Sequence, residues 1–435
     1  MPNHGKSRLS KARLEAIKLK FRQWRYSQGP PQLPRPGRGC RVAVIIPAYN
    51  ETPRTLVRPL LSLAVQSGVV FDVFEVLVVV NNSRRQARRR SREFLANQRL
   101  LRWLESVAAG SAKDEAGKII HRSGLVVHAL DKSSLERTEA DNHVGHARNV
   151  GCLEASLRFL SGPWRERGIL AFTDADCRLS PNYIREIIAT FDQYRCLNGL
   201  SGALAHEIDE TLPNPALVKK AFDAHVGFSD KFYLARGLAL KRRDGLRGPV
   251  LLAGANMAVS VSSWLLAGGL PNRPSGEDYY FGRAVEDLPG DVAATDRYTV
   301  YPLIRSSERA GLHSYGRRVR EITAAVAAFV SGDSSRIYIP HLHRRSGFIN
   351  RLMRQAEAAP LNQKQILSLM KTYGCEAKAL GQKTLDGLAK VYNQQAARPR
   401  HLRDYGRLER RLWQALGDRL PVWDATEKII QSEQA

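Results

Sequence analysis

Two uninterrupted apolar runs, Val42 to Ile46 and Phe74 to Val80, constrain this chain more than any other feature. Neither alternates apolar with polar residues, so each asks for burial on both faces, as central strands of a parallel sheet do. Each stops at polar residues, the first at Pro47-Ala48-Tyr49-Asn50-Glu51 and the second at Asn81-Asn82-Ser83, with a helix expected from about Thr55 to Gln66 between them. That is a β-α-β unit, and it selects an α/β fold. The pattern continues: Leu125 to Leu130 reads as a strand, a helix runs from about Gly145 to Leu160, and Ile169 to Phe172 ends directly in Thr173-Asp174-Ala175-Asp176. Acids and amides therefore gather past the carboxyl ends of parallel strands, where open α/β sheets bind ligands.

At 435 residues with 43% hydrophobic content, the chain can carry one large domain with an appendage, or two domains. We expect a basic segment and Pro-rich linker over 1–38, the α/β domain over 39–345, and a helical region over 346–435, whose periodicity is broken by Gly374, Gly381 and Pro399. The net charge of +25 favours anionic partners: nucleic acid, lipid headgroups or phosphorylated substrates. Residues 1–38 hold ten Lys or Arg against Glu15, with Leu9, Leu14, Ile17 and Phe21 at rough helical spacing, which suits a solvated tail or an anionic membrane contact. Arg84 to Trp103 carries eight arginines and one Glu, and reads as an amphipathic helix at the sheet margin with a solvated basic side, followed by a loop over Ala108 to Lys118. Five scattered cysteines without a C-x-x-C pair argue for a reducing compartment. No signal-like apolar stretch follows the basic start, so a cytoplasmic location is expected, peripheral to a membrane at most. Gly248 to Asn272 is uncharged but broken by Pro249, Asn256 and several glycines and serines; it reads as a buried strand and a short helix rather than a span.

The chemistry centres on two acidic pairs. Asp174 and Asp176 lie two apart on an extended segment, so both carboxylates face one side, and two hard oxygen ligands suit Mg²⁺ or Mn²⁺ when substrate phosphates complete the shell. An Asp-x-Asp arises by chance about once in a chain this long, so its position at a strand end carries the weight. Glu277-Asp278 opens an expected helix after Pro274-Ser275-Gly276; either acid could serve as a general base, or both could simply favour a helix N-terminus.

Taken in order, VAVIIPAYNE (42–51), VLVVVNNS (76–83), GHARNVG (145–151), AFTDADCRLSPNYI (171–184), GANMAVS (254–260) and SGEDYYFGRA (275–284) resemble the motifs of family 2 glycosyltransferases with the GT-A fold. The resemblance covers roughly 40–320 and implies a Rossmann-like mixed sheet, a nucleotide-diphosphate sugar donor, a UDP-sugar above others, a divalent metal, and inversion at the anomeric carbon. By position it implies that Pro47, Tyr49, Glu51 and Asn82 border the nucleotide, and that Arg148 and Asn149 line the ribose and diphosphate. Asp174 and Asp176 would hold the metal and ribose, Asp278 would be the base with Glu277 beside it, and Gly254 and Asn256 would floor the acceptor side. A later segment with Arg305, Arg309, His313, Arg317 and Arg318 fits by charge either a loop that closes over the phosphates or a basic surface helix; a further ligand at His341 or His343 is also open, beside plain surface polarity. The chain departs from the pattern at Asn81-Asn82, where many relatives have consecutive acids, and in the Arg-rich insertion between Ser83 and Gly145. The expected activity is a single transfer to a hydroxyl acceptor, which could be anionic or lipid-linked, with nucleic acid not expected. The alternatives are a catalytically silent relative that binds nucleic acid or anionic glycolipid, and a retaining transferase of the same fold.

Overall fold

A computed structural model describes residues 31–138, 143–160, 162–219, 252–273 and 276–305, with single positions at 222, 246, 323, 362, 364, 365, 367 and 368. These residues fall into two compact units, one within 1–206 and 251–303 and the other within 207–250 and 304–435. The expected basic helix near Leu9 to Phe21, the Arg309 and His313 loop, His341, His343 and the helical region over 346–435 lie outside the described residues, apart from a few isolated positions.

The first unit is a mixed α/β structure. Its strands are β1 (Val42–Ala48), β2 (Phe74–Asn81), β3 (Val127–Lys132), β4 (Ile169–Phe172), β5 (Arg178–Leu179), β6 (Leu197–Leu204), β8 (Met257–Ser260) and β9 (Asp291–Tyr301). They form one sheet in the order β3-β2-β1-β4-β8-β6-β9-β5. The ladders joining β3, β2, β1 and β4 are parallel, while β8 runs antiparallel to both β4 and β6. The helices are α1 (Pro53–Ala64), α2 (Arg84–Arg88), α3 (Arg92–Ala108), α4 (Glu115–Arg122), α5 (Val144–Phe159), α6 (Tyr183–Gln193), α7 (Val261–Leu266) and α8 (Glu277–Glu286). The second unit includes β7 (Glu207–Ile208), whose following residue Asp209 donates its N–H to the carbonyl of Ile304 at 2.9 Å. Ile304, Val218 and Phe222 form its small apolar cluster.

The two apolar runs become strands because both of their faces are covered. Ala43, Ile45, Leu77 and Val79 pack with Ala147, Cys152, Ala155 and Phe159 of α5, whereas Val44, Ile46, Val76 and Val78 alternate to the other face and are also fully buried. Gly151 permits the close approach of α5, since a Cβ there would stand 2.7 Å from Ile45. Because β1 to β4 are parallel, Ala48, Asn81, Lys132 and Phe172 end at one edge of the sheet. The uncharged stretch before Asn272 is indeed a strand and a short helix, β8 and α7, and no helix among the described residues is long and apolar enough to cross a membrane.

Two expectations are corrected. The Arg-rich segment is not one helix: Ser83 caps α2 in a capping box with Gln86, Ser91 caps α3, and Arg90 between them sits at φ 46. The expected loop over Ala108 to Lys118 contains the start of α4, because Asp114 accepts the Gly117 N–H at 2.8 Å and the Trp103 indole N–H at 2.8 Å.

A buried ion pair fixes α5 to the sheet. Arg158 donates to both carboxylate oxygens of Glu75 at 2.6 and 2.7 Å and also to the carbonyl of Pro34 at 2.7 Å. Gln32 and Leu33 donate backbone N–H groups to the two oxygens of Glu154, at 3.0 and 2.8 Å. Glu75→Gln keeps the volume but removes one charge of a pair in which both side chains are at most 3% exposed; it should destabilise the fold by about 3 kcal/mol, read from the urea midpoint with an unchanged m-value.

Candidate active site

The loops past the carboxyl ends of the parallel strands bring together groups that lie far apart in sequence. Asp174 and Asp176 follow β4, but not on the extended segment expected of them: the Cys177 N–H bonds the Asp174 carbonyl at 3.2 Å and Ala175-Asp176 form a turn, with both acids half-buried and Ala175 and Cys177 buried. Arg148, from the first turns of α5, reaches this point from beneath. Its side chain is 3% exposed; one terminal nitrogen donates to Asp174 Oδ1 at 2.6 Å and the other to Glu277 Oε1. Glu277 and Asp278 open α8, whose N-cap is Gly276 at φ 73, a left-handed backbone that glycine adopts without strain.

The two acids of α8 separate by geometry. Glu277 is buried and bound to Arg148. Asp278 is half-buried; its Oδ2 accepts the Gly254 N–H at 2.8 Å and its Oδ1 the Tyr279 N–H at 2.8 Å. The helix-N-terminal role and the placement beside Gly254 therefore coexist in one side chain. Gly254 is constrained from the opposite side, because a Cβ there would lie 2.5 to 2.7 Å from the Arg148 guanidinium.

Charge is concentrated here. Asp174 retains 42% of its side-chain surface, yet the protein around it displaces enough water to push its carboxyl up. Arg148 opposes that shift, and the like charges of Asp176 and Asp278 add to it. Burial also raises Glu277, against Arg148 and with Asp278. Burial alone would lower the Arg148 guanidinium; Asp174, Glu277 and Asp278 together hold it above its ordinary value.

The remaining expected site residues are arranged around this centre. Tyr49 and Glu51 follow β1 at the same sheet edge, and the Tyr49 hydroxyl accepts a hydrogen bond from the Gln86 side chain. Pro47 lies in β1 itself, half-buried. Asn82 is fully buried, donating to the carbonyls of Ser83 and Ser133 at 3.1 and 3.0 Å and accepting from Asn97 at 2.9 Å. Asn149 also turns inward: its amide bonds the Leu270 backbone on both sides, at 2.6 and 2.9 Å, and accepts from the Trp264 indole at 3.1 Å. Asn256 is fully buried, donating to the Ala203 carbonyl at 2.8 Å, while its Oδ1 has no partner among the described residues.

Sequence reasoning missed Asn97. It holds the Asn50 N–H at 2.9 Å and the Asn81 carbonyl at 2.8 Å, joining the loop after β1 to the end of β2. The available signal was a polar residue on the apolar face of α3, one turn from Leu100 and Leu101.

Among the described residues no group of three or more His, Cys, Asp or Glu is arranged to hold a metal ion. The donor set nevertheless suits a hard cation in part: two carboxylates two residues apart, both half-buried, one with an oxygen committed to Arg148. A cavity of about 590 Å³ lies elsewhere, lined by α5 residues from His146 to Leu157 together with Trp264 and Leu265. Asp174, Asp176 and Asp278 are not part of its lining.

These features define an α/β protein with an acidic, arginine-braced cluster at the carboxyl edge of its parallel strands. No family model and no curated protein matches the chain. Among solved structures it is similar to S. aureus TarS 1–349 in complex with UDP-GlcNAc, at 13% identity and a TM-score of 0.36, covering 86% of this chain and 92% of that one. It is also similar to GalNAc-T7 with UDP, GalNAc and Mn²⁺, at 11% identity and a TM-score of 0.40, covering 90% of this chain and 66% of that one. Overlaps this loose do not separate one mixed α/β sheet from another, and the functional reading rests on the site residues.

Gly254→Ala places a methyl group against the Arg148 guanidinium and should cost about 1 to 3 kcal/mol of stability, measured by urea unfolding. Gly268→Ala, at a left-handed glycine with open space around it, is the control for backbone strain without displacement of Arg148.

Proposed function

We propose that the protein is a glycosyltransferase of GT-A fold and family 2 type, moving a sugar from a nucleotide diphosphate to a hydroxyl acceptor with inversion. The observation that carries this reading is the meeting of Asp174, Arg148, Glu277 and Asp278, drawn from three of the six motifs that resemble the family, at the strand edge where α/β sheets bind ligands. We read the α/β domain as extending over 39–345 and the helical region over 346–435 as separate from the chemistry.

Asp174 and Asp176 are the residues that would hold Mn²⁺ or Mg²⁺, with donor phosphates completing the shell. A divalent cation bound there supplies positive charge against the diphosphate that leaves as the sugar bond breaks. Arg148 has a different task from the one its position in the motif first suggests. Its terminal nitrogens are committed to Asp174 and Glu277, so it orients the Asp174 carboxylate. Tyr49 and Glu51 stand at the edge of the nucleotide region, and Asn82 supports that region from within. Arg309 and His313 are proposed for the phosphate-closing loop on the sequence alone.

Asp278 is the general base in this reading. Two backbone N–H groups hold its carboxylate in place, and its half-buried position leaves a way for an acceptor hydroxyl to give up its proton. Glu277, fixed to Arg148, is a positioning residue. Gly254 forms the acceptor side and donates to the base itself, and Asn256, fully buried on the Ala203 carbonyl, supports it from within.

Asp278→Asn should lower kcat by about 10² to 10⁴ with donor affinity changed less than about threefold; equal losses in both would make it a structural acid. Donor class is tested by melting the protein with UDP, GDP, ADP, dTDP and CMP, each with and without Mn²⁺. UDP with Mn²⁺ at about 100 times its Kd should stabilise the fold by about 2.7 kcal/mol, an effect expected to disappear in Asp176→Asn. No rise with any nucleotide would overturn the transferase reading.

A further inference from the structure

The eight arginines between Arg84 and Arg102 are all exposed, and the site described above uses none of them. Among the described residues no ion pair joins any of them to a carboxylate. Arg84 donates to the Thr138 carbonyl at 3.2 Å and Arg102 weakly to the Gln98 carbonyl at 3.3 Å. The nearby acid, Glu93, accepts from the Ser91 hydroxyl at 2.6 Å and lies in the field of Arg92 alone among the eight. So much unopposed like charge repels itself and favours a counter-charge from outside.

This cationic surface is built, not a solvated tail. The Ser83–Gln86 capping box starts α2 directly after β2, at the sheet edge that carries Asp174, and Gln86 is bonded to the Tyr49 hydroxyl. At the turn between α2 and α3, Arg90 holds φ 46, where a glycine or asparagine sits with less strain. An exposed arginine in that conformation is not required by packing. The outlier points instead to a use for its charge.

We propose that the arginine face of α2 and α3 binds a linear polyanion, a chain bearing repeated phosphate or carboxylate groups. Its part as the acceptor's docking surface rests on the transferase reading. The structure favours such a chain over a bilayer, because Ala96, Leu100, Leu101, Leu104 and Val107 of α3 are turned into the core and leave only Leu95 exposed for insertion. It also favours a chain read by charge over a base-stacked nucleic acid, because Phe94 and Trp103, the two aromatic side chains of the segment, are half-buried.

The test is the binding of end-labelled inorganic polyphosphate to the full chain, followed by anisotropy across a salt series. Replacing Arg85, Arg88, Arg89, Arg90 and Arg92 together by Gln should weaken binding at least about tenfold at low salt and flatten the salt slope by about 3.5, near 0.7 per charge removed. Unchanged affinity and slope would overturn the proposal, placing polyanion binding on other basic segments. So would a thymidine oligonucleotide of equal charge binding more than about tenfold tighter than polyphosphate, or arginine-dependent capture by phosphatidylglycerol vesicles without polyphosphate binding. Arg90→Gly separates charge from folding: it should raise Tm by about 2 °C while weakening polyphosphate binding, and unchanged binding would remove Arg90 from the surface. No donor or turnover enters these measurements, so this surface and the transferase reading fail independently.

Discussion

One buried cation organises the candidate site. Arg148 brings a carboxylate 26 residues away and another 129 residues away onto a single guanidinium. Burying that charge without partners would cost several kcal/mol, so the seating of α5 is coupled to the loop after β4 and to the start of α8. Gly254, with no side chain to push the guanidinium aside, then presents its N–H to Asp278. The acids consequently occupy fixed stations around a positive centre instead of repelling one another across a loop.

A second polar network does the same work for the loops after β1 and β2 without charge. Asn97 ties Asn50, Asn81 and Asn82 together, and Asn82 passes the connection on to Ser133. The position where the family resemblance leads one to expect consecutive acids is therefore filled by amides with internal partners. Amides serve here because each supplies donors and an acceptor together, which lets one buried side chain satisfy several backbone groups. An acid at Asn82 would keep the acceptor and lose the two donor bonds.

The central strands were legible because burial on both faces leaves a signature in a short window, whereas the Asp174-Ala175-Asp176 segment reads as extended and is instead a turn, closed by the bond from the Cys177 N–H to the Asp174 carbonyl. The break at Arg90 was not legible, since arginine carries no preference for left-handed backbone. Likewise the start of α4 at Asp114 looked like loop: its anchor is the Trp103 indole, a contact that the local pattern does not announce. The inward turn of Arg148 and Asn149 was hidden for a related reason. A motif fixes where a residue sits on its helix, while its partners, such as Glu277 and Leu270, come from segments more than 100 positions away.

The stitching of residues 32–34 to α5 reaches beyond stability. Glu154 takes the N–H groups of Gln32 and Leu33, and Arg158 takes the carbonyl of Pro34 while holding Glu75 on the sheet. A shortened protein that began at residue 39 would leave Glu154 without those two donors and strip the carbonyl from Arg158. Residues 32–34 are thus a clasp on the helix that also supplies Arg148.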